Sequence, residues 1–551
     1  YNPDQLGANT TDIVPGLFTQ IVSNNKILIQ DYGEWYYLLN GGTSIPGYAQ
    51  LANRYISYRY DWFSSFNDLT TGNGFDDYPI TGQSYFENSY LRLKPWETIR
   101  NEMSKRQGAD RANAEMYFRL ATIMKDYQSA KLVDFYNSIP YFDAFQGNNQ
   151  TTGAWYPVYD DPKAIYESII TELGHLVDSL PVFYNNMDAT AKTILAKQDI
   201  VFGGNINKWV QYTNALRIKY LVRISGVDAA FAQSGLQAAL TKPLLDADLE
   251  FKMWAPVDVL GGGTWQRGLY ENTFASFIPG VIMKRLNYDS LKYQPGIDDP
   301  RLPVLAMPTK YHDYRSITFN IDQQTPLYDG GDKYYPYADN IPSSLSTNAK
   351  SMYNIVTLSL NSAMPVYVFS RTEQDLLLAE IALKGLANTG KLPGDHISDA
   401  VVHSVNYWYR INQLSTASRG VDDAELYPTK PSDAAILAWA TVVRGKFDLA
   451  SGVEDKMEIL MQQKYIHLNL LAPYELWAEL RRTGHPKLEP FVWHGSIWKP
   501  FPERVRYPAS EQKNNTTNFA KVASDNNLTS KIFWVPSNRT TDLYWSDNTF
   551  K

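Results

Sequence analysis

The segment Gln462–Pro490, QQKYIHLNLLAPYELWAELRRTGHPKLEP, says more about the fold than any other part of the chain. Its pattern predicts two helices followed by a stop. Pro473 suits the first position of the second helix, because its missing N–H group costs nothing there and its fixed φ already fits. Leu476, Trp477 and Leu480 recur at spacings of three and four residues, so this short helix has an apolar stripe for packing.

Charges and a glycine mark the ends of this second helix. Glu475 lies in the predicted first turn and Arg481 and Arg482 lie in the last, where the helix dipole favours each charge. Gly484 suits the left-handed residue that ends a helix, and Pro486 prevents a restart. On these residues alone, the segment is a structural helix pair that carries no chemistry.

Apolar residues recur at helical spacing in several other segments. The segments are Asp110–Tyr136, the stretch opened by Asp161-Pro162 as cap and first residue, about Asn207–Ser225, Val227–Leu240, Arg371–Leu386, His396–Ile411, Ala434–Arg444 and Val453–Leu470. They fall into pairs joined by loops, and the spacing of Trp209, Tyr212 and Ala215 is similar to that of tetratricopeptide repeats. The sequence therefore predicts a mostly α fold, a right-handed stack of helical pairs with little β structure.

Three long stretches show no helical period and are rich in aromatic residues, Gly, Pro and polar residues. Long irregular stretches in a compact protein are usually functional or disordered, and their aromatic content argues against disorder. We expect binding there, and a short strand at 355–360. The stretches are Arg54–Tyr90, Met253–Tyr293 and Lys310–Leu360.

The block from Gln463-Lys464 through Trp477 to the RRTGHP run at 481–486 resembles the SusD/RagB family, in its SusD-like branch. Further matches follow in the family's order over nearly the whole chain. The resemblance implies a solenoid with four tetratricopeptide-like units and long loop insertions. The matches are Asn2-Pro3, Asp299-Pro300-Arg301, the helix Arg371–Leu383, and the closing Pro502-Glu503-Arg504 through Tyr507-Pro508 with Glu511 and Asn514.

Together, pattern and resemblance predict one SusD-like domain over residues 1–551. The helical scaffold covers about 96–240 and 364–490. Insertions at about 41–95 and 253–360 face ligand or partner, and a loop-rich segment covers 491–551.

Composition excludes several functions. The net charge is −7 and no Lys/Arg stripe is present, which argues against nucleic acid or an anionic membrane surface as partner. No apolar run approaches the ~18 residues that span a bilayer. The chain has no Cys, so disulfides, thiol catalysis and thiolate metal sites are all excluded.

Enzyme motifs are absent from the sequence, and we expect no catalytic residue. The seven histidines show no HExxH or HxH spacing, so structural or surface roles are expected and no metal site is predicted. Turn or cap roles explain the adjacent acids, which sit in loops. A loop calcium site built from such acids stays open, without assigned ligands. The acid pairs are Asp76-Asp77, Asp160-Asp161, Asp298-Asp299 and Asp422-Asp423.

Aromatic residues are the compositional outlier, with 39 Tyr, 14 Trp and 23 Phe. Most belong in a core, but rings also stack on the apolar faces of sugars while Asn, Asp and Arg pair with hydroxyls. Two loops mix these groups, Tyr58–Asp68 and Thr264–Phe274. The predicted ligand-binding residues are Trp62, Phe66, Asn67 and Asp68 in the first loop and Trp265, Arg267, Tyr270 and Asn272 in the second.

The resemblance implies a lipoprotein of the outer membrane, anchored at the extracellular face through a lipid on a Cys just before Tyr1. It implies a SusC-type TonB-dependent barrel as partner, over whose mouth the protein sits as a lid that captures oligomeric nutrients. Most such proteins take glycans and some take oligopeptides, and no motif in this sequence separates the two. From the residues alone, an ordinary soluble protein without Cys stays open, as do a surface glycoside hydrolase and a free-standing glycan-binding adhesin.

Overall fold

Helices dominate the part of the chain that the structure describes, and strands are short and few. The mostly α architecture that the sequence predicts is confirmed. None of the described helices has the length and apolarity needed to cross a membrane. The computed structural model describes residues 12–22, 58–59, 81–146, 155–252, 276–278, 280–287, 291–309, 311–316, 351–417, 423–489, 491–493, 496–498, 503–527 and 529–545.

The described helices are numbered in chain order. They are α1 (Val14–Val22), α2 (Thr81–Met103), α3 (Gly108–Tyr136), α4 (Pro162–Asn186), α5 (Ala189–Gln198), α6 (Ile206–Ile224), α7 (Ala229–Ala239), α8 (Gly280–Leu286), α9 (Leu302–Leu305), α10 (Arg371–Leu383), α11 (Pro393–Leu414), α12 (Asp423–Leu426), α13 (Asp433–Leu449), α14 (Gly452–Leu468), α15 (Pro473–Thr483), α16 (Ala509–Asn514) and α17 (Thr516–Phe519).

Within the described ranges, six short strands form three antiparallel two-stranded sheets, β1 with β3, β2 with β4 and β5 with β6. The first two sheets join segments that lie far apart in the sequence. The strands are β1 (Tyr58–Arg59), β2 (Leu249–Phe251), β3 (Ser276–Phe277), β4 (Val366–Phe369), β5 (Phe491–Trp493) and β6 (Ser496–Trp498).

Four helical pairs form the scaffold: α3 with α4, α6 with α7, α10 with α11, and α13 with α14. Neighbouring pairs also touch, because α4 packs on α6 and α11 packs on α13. Contact between α6 and α10 joins the two halves, while α1 and α2 cover α3. The stacked pairs bury one continuous apolar core, as the tetratricopeptide-like prediction requires.

Caps set where the helices begin. The side chain of Asp161 accepts a hydrogen bond from the Ala164 N–H at 2.8 Å, and Pro162 takes the first helical position of α4. Ser370 caps α10 in the same way through the Glu373 N–H, at 3.1 Å. Such caps satisfy backbone donors that have no partner inside the helix.

The apolar positions that the helical spacing singles out are buried. Their burial confirms the predicted faces of α3, α4 and α6. The residues are Tyr117, Leu120, Ala121, Met124, Leu132 and Phe135 on α3, Ile165, Ile169, Leu173, Leu176 and Leu180 on α4, and Trp209, Tyr212, Leu216 and Tyr220 on α6.

The prediction of a strand at 355–360 is wrong, because this segment forms turns. The buried side chain of Asn354 accepts hydrogen bonds from the N–H groups of Val356 and Thr357, and the Leu360 N–H binds the Ile355 carbonyl at 2.7 Å. These local bonds use the backbone groups that a strand would need. The apolar run therefore reflects burial rather than sheet pairing.

Two helices also fall, in part or wholly, inside the stretches whose sequence shows no helical period. Helix α2 begins at Thr81, within Arg54–Tyr90, and α8 lies within Met253–Tyr293. Pro95 interrupts the pattern of α2, and α8 is too short for a periodicity to stand out. In both cases the helix is stabilised by tertiary packing, because the local apolar pattern is too weak to predict it.

The decisive segment folds as predicted into α14 and α15. Pro473 is the first residue of α15, and Gly484 ends it with a φ of 76° while its N–H binds the Leu480 carbonyl at 2.8 Å. Trp477 is 2% exposed, and Glu475 is only 3% exposed. Helix α15 therefore lies in the interior. Its charged side chains need partners there, beyond the stabilisation that the helix dipole provides.

Arg223 of α6 connects α15 to α3. One guanidinium nitrogen contacts Asp134 at 2.5 Å, and another contacts Glu475 at 2.5 Å. Lys219, one turn earlier on α6, reaches Glu475 at 3.3 Å and Glu373 of α10 at 2.7 Å. All these side chains are buried, so the pairs replace water that each charge lost on folding.

Glu479 extends the same network to two more helices. It contacts Lys464 of α14 at 3.2 Å and Arg482 at 2.6 Å. Arg482 in turn forms a two-pronged pair with Glu380 of α10, at 2.6 and 2.7 Å. We call the set formed by Asp134, Lys219, Arg223, Glu373, Glu380, Lys464, Glu475, Glu479 and Arg482 the buried ion network; it links α3, α6, α10, α14 and α15.

The network holds Glu475 and Glu380 ionised. Burial alone raises the pKa of Glu475, but the charges of Arg223 and Lys219 outweigh it and bring the pKa to about 2. Burial is likewise outweighed at Glu380, where Arg482 and Lys384 lower the pKa to about 2. These groups stay charged at any pH near neutrality.

Replacing Arg223 with Met should destabilise the protein by about 3–5 kcal/mol, because the buried carboxylates of Asp134 and Glu475 then each lose a cationic partner. Equilibrium urea unfolding followed by circular dichroism measures the change. The control is Lys105→Met, which removes a pair with Glu102 whose Lys side chain is 67% exposed; exposed pairs contribute little. Equal stability of the two variants would contradict a stabilising role for the network.

Acid should unfold the protein through these carboxylates. Their folded-state pKa values of about 2 lie below the ordinary value of 4.5, so the stability they contribute is complete above about pH 4.5 and is lost as the pH falls toward 2. Urea midpoints measured from pH 7 to pH 3 should be level at first and then fall. Glu475→Gln should make that fall shallower. A midpoint that stays constant down to pH 3 would contradict this assignment.

Candidate functional site

The predicted ligand-binding residues lie outside the described residues, and their role stays a prediction. Of the two loops that carry them, the structure describes only Tyr58 and Arg59, at the start of the first. In the sheet of β1 and β3, Tyr58 pairs with Phe277 and Arg59 with Ser276. This pairing brings the start of the first loop next to β3, the strand that follows the second loop in the sequence. The residues concerned are Trp62, Phe66, Asn67, Asp68, Trp265, Arg267, Tyr270 and Asn272.

The described acid pairs have structural roles, as the turn and cap interpretation predicts. Asp160 accepts hydrogen bonds from the N–H groups of Tyr141 and Phe142, at 2.7 and 2.9 Å. Asp298 accepts from the Gln294 N–H at 2.7 Å, and the neighbouring Asp299 pairs with Arg301. The pair at 76–77 and Asp422 lie outside the described residues.

A cleft of about 760 Å³ opens beside α11, α12 and α13 and is the candidate binding site. Aromatic rings, prolines and a few charged side chains share its lining, a composition typical of small-molecule and sugar sites. The lining residues are Lys292, Tyr293, Pro295, Gly296, Asp298, Pro300, Pro303, Pro308, His312, Tyr314, Tyr409, Ala424, Glu425, Pro428, Thr429, Lys430, Pro431, Ala435, Ala438, Trp439 and Val442.

Four of the lining residues of the cleft are Tyr or Trp. Tyr314, Tyr409 and Trp439 are buried, while Tyr293 is partly exposed. Tyr409 and Trp439 come from helices α11 and α13 of the scaffold, whereas Tyr293 and Tyr314 come from the connecting segment that surrounds α9. A ligand in the cleft would therefore touch both the rigid stack and an insertion.

Charged groups lie at the more exposed side of the cleft. His312 Nδ1 lies 2.7 Å from Glu425 Oε1, and both side chains are exposed. The backbone of His312 has a φ of 57°, in the left-handed region that residues other than Gly rarely adopt. A tight turn imposes it, because the Thr309 N–H binds the Asp313 carbonyl at 2.7 Å and the His312 N–H binds the Thr309 carbonyl at 2.9 Å.

The tyrosines of the cleft stay neutral. Burial, with the charges of Asp299 and Asp298, raises the pKa of Tyr293 to about 12. Burial, with Glu425 nearby, also raises the pKa of Tyr314. Both residues are therefore uncharged at neutral pH, as tyrosine ordinarily is.

The Asp299-Pro300-Arg301 motif anchors one wall of the cleft. Arg301 is fully buried and binds Asp299 through two nitrogens, at 2.9 and 2.5 Å. It also reaches Ser404 of α11 at 3.0 Å and Gln463 of α14 at 2.6 Å. The carbonyl of Pro300 accepts a hydrogen bond from the Tyr409 hydroxyl at 2.9 Å, so the motif fixes the insertion to the scaffold.

A smaller pocket of about 180 Å³ lies between α2, α3 and the segment at 140–145. Its central ring, Trp96, already has Arg100 and Lys125 over it, at 5.0 and 5.4 Å from the ring centroid. The Trp96 indole N–H donates to Thr122 at 3.1 Å. These internal contacts fit a structural role, and the cleft beside α13 remains the better candidate.

Sequence reasoning did not select the aromatic residues of the cleft. A signal for Tyr314 was available, because it falls in the Tyr-rich stretch Lys310–Leu360 where binding is predicted. The signal for Tyr409 and Trp439 was hidden, since both lie on amphipathic helices and look like core residues.

One group of His and carboxylate side chains, Asp375, His396 and Asp399, also approaches metal-ligand spacing within the described ranges, away from the cleft lining.

Comparison with known proteins identifies the family. The model of a SusD-like family, described as "Starch-binding associating with outer membrane", matches residues 48–508. The chain therefore belongs to this SusD-like family. No curated protein matches it.

Solved structures agree with the fold. A chitin-binding protein is similar at 21% identity with a TM-score of 0.64, covering 95% of this chain and 99% of its own. A chitin-binding SusD homologue from Flavobacterium johnsoniae is 18% identical with a TM-score of 0.65, covering 96% and 100%. A SusD homologue from Bacteroides uniformis is also 18% identical with a TM-score of 0.65, covering 95% and 99%. At these identities the likeness shows the fold alone.

Replacing Arg301 with Lys should loosen the cleft wall, because Lys keeps the charge but cannot hold Asp299, Ser404 and Gln463 at once. Hydrogen exchange of peptides covering residues 291–309 should accelerate, and stability should fall by about 2 kcal/mol. Arg315→Lys is the matched control, since Arg315 pairs with Asp313 in the same segment but is one-third exposed. Similar exchange in both variants would contradict the anchoring role.

Proposed function

We propose that this protein binds glycans at the outer membrane. The observation that carries the proposal is membership of a family described as starch-binding and associating with the outer membrane, over residues 48–508. Two structural neighbours are described as chitin-binding, and both starch and chitin are uncharged polysaccharides. The shared chemistry is a neutral sugar chain.

The cleft beside α13 fits such a ligand. Sugar rings offer C–H faces that stack on aromatic rings, and their hydroxyls pair with carboxylates, imidazoles and ammonium groups. Tyr293 supplies a partly exposed ring, and the exposed His312 and Glu425 supply polar partners nearby. We infer that the cleft forms one contact region for the glycan, beside the predicted residues of the two aromatic loops.

The wider function follows from the family resemblance. In this proposal a lipid anchors the protein at the extracellular face of the outer membrane, where it captures oligomers and delivers them, as a lid, to a SusC-type TonB-dependent barrel. Ligand contacts with both lid and barrel would favour the closed state, because a ligand shifts the equilibrium toward the state it binds better. An oligopeptide cargo is the alternative within this scheme.

Binding without catalysis agrees with the described acids. Asp160, Asp161, Asp298 and Asp299 accept hydrogen bonds from backbone N–H groups or, for Asp299, from Arg301 as well. A glycosidase needs two carboxyl groups about 5–9.5 Å apart across its substrate. The alternatives are a surface glycoside hydrolase and a free-standing adhesin. Incubation with starch and chitin oligomers tests for the glycoside hydrolase. New reducing ends would indicate hydrolysis and contradict our proposal.

Tyr293→Ala should weaken glycan binding about tenfold, because a stacked ring contributes on the order of 1.4 kcal/mol. Calorimetric titration with maltooligosaccharides, chitooligosaccharides and short peptides measures it. The control is Tyr156→Ala, which removes a ring that is 61% exposed and does not line the cleft. No binding to either glycan would contradict the proposed function.

Two further variants separate the cleft from the loops. Trp62→Ala and Trp265→Ala remove the central rings of the predicted loops. A loss of affinity in these variants with none in Tyr293→Ala would assign the glycan to the loops and contradict the role of the cleft. A loss in all three would support one extended binding surface.

Co-purification tests the partner. The tagged protein, extracted from its native outer membrane in mild detergent, should carry a TonB-dependent barrel that mass spectrometry identifies. Purification as a single protein, with glycan binding intact, would favour the adhesin.

A further inference from the structure

Helices α10 and α11 pack against each other, and a group of metal-ligating side chains meets at their contact. Asp375 comes from α10, while His396 and Asp399 come from α11. Their candidate ligand atoms all lie within 4.8 Å of one another. Two neighbouring helices thus bring together one imidazole and two carboxylates.

A second histidine completes the arrangement. His396, Asp399 and His403 lie three and four residues apart, which puts them on one face of α11. His403 Nδ1 lies 2.6 Å from Asp375 Oδ2. A histidine that holds one oxygen of a carboxylate leaves the other oxygen for an ion and fixes its direction.

We propose that Asp375, His396 and Asp399 bind a divalent transition-metal ion, with Zn²⁺ the best fit, and that His403 orients Asp375. Three protein ligands from nitrogen and oxygen donors, with water in the fourth position, are a recurrent zinc arrangement. The imidazole disfavours Ca²⁺ and Mg²⁺, which prefer oxygen ligands. The site clamps the two helices of the third pair together.

The geometry needs only small adjustment. With bonds of about 2.1 Å, ligand atoms around a transition-metal ion lie about 3.3–4.2 Å apart. Asp375 is 8% exposed and His396 is 3% exposed, so packing holds both in place. The side chain of Asp399 is 37% exposed and pairs with Lys391, so it must exchange that partner to close on an ion.

A neighbouring hydroxyl also positions the imidazole. His396 Nε2 lies 2.8 Å from the Thr389 hydroxyl, which orients the ring.

Cations near the group compete with the ion. Lys391 contacts Asp399 at 2.6 Å, but its side chain is 54% exposed and can move into water. Arg444 contacts Asp395, at 2.7 Å, on the first turn of α11. Arg371 lowers the pKa of Asp375, but only weakly. Lys391 is therefore the group that metal binding displaces.

Calorimetric titration of the whole chain with Zn²⁺, and separately with Co²⁺, tests the site. We expect one ion per chain, a higher thermal midpoint in its presence, and visible Co²⁺ absorption bands from nitrogen and oxygen ligands. His396→Gln should weaken binding at least 100-fold. His403→Gln should weaken it about tenfold, as loss of an orienting partner does.

The controls separate this site from other histidines and from misfolding. His312→Gln removes an exposed histidine that also pairs with a carboxylate, and it should leave the titration unchanged. Lys391→Gln should strengthen binding, a gain that a misfolded variant would not show. Equal Zn²⁺ affinity in His396→Gln and the parent chain would overturn the proposal, as would saturation by Ca²⁺ at the same concentration.

Discussion

The buried ion network around α15 is the interaction on which the rest of the structure depends. Arg223 joins α3 to α15 through Asp134 and Glu475, and Arg481 of α15 also binds the Asp134 carbonyl. Lys219 and Arg482 extend the connection to α10. Removing several charges from water costs free energy that only a complete set of partners offsets. The network therefore constrains five helices at once, and it specifies how the two halves of the helical stack meet.

This constraint is also what positions the candidate site. Arg301 reaches Gln463, one residue before Lys464 of the network, so the wall of the cleft and the network share α14. The stack supplies Tyr409 and Trp439 in fixed positions, while the insertion supplies Tyr293 and Tyr314. A rigid wall facing an attached loop is a common way to hold a ligand with few mobile contacts. Passive binding requires nothing more.

Sequence reasoning recovered the parts of the fold that local physics controls. Capping at Asp161-Pro162 and the glycine stop at 484 follow from backbone geometry, and the apolar faces of the long helices follow from periodicity. The turn at 355–360 could not be predicted, because the side chain of Asn354 satisfies backbone groups that an apolar run would otherwise offer to a sheet.

The site was harder to predict for a related reason. Tyr409 and Trp439 line the cleft only because α9 and its flanking segment pack over α11, a contact between residues far apart in the chain. Asp375 and His403 likewise meet across two helices, and no spacing within the sequence marks them as neighbours. The resemblance to the SusD/RagB family identified the class correctly, while the predicted loop residues stay predictions. The family motifs at 299–301 and 481–486 make internal packing contacts.

A crystal structure of the protein soaked with maltoheptaose and, separately, with chitohexaose tests the central claim most directly. We expect electron density for sugar rings stacked on aromatic side chains, with one ring against Tyr293 in the cleft beside α13. Fully occupied crystals that show a bound peptide instead, or no saccharide at millimolar concentration on any aromatic surface, would contradict it.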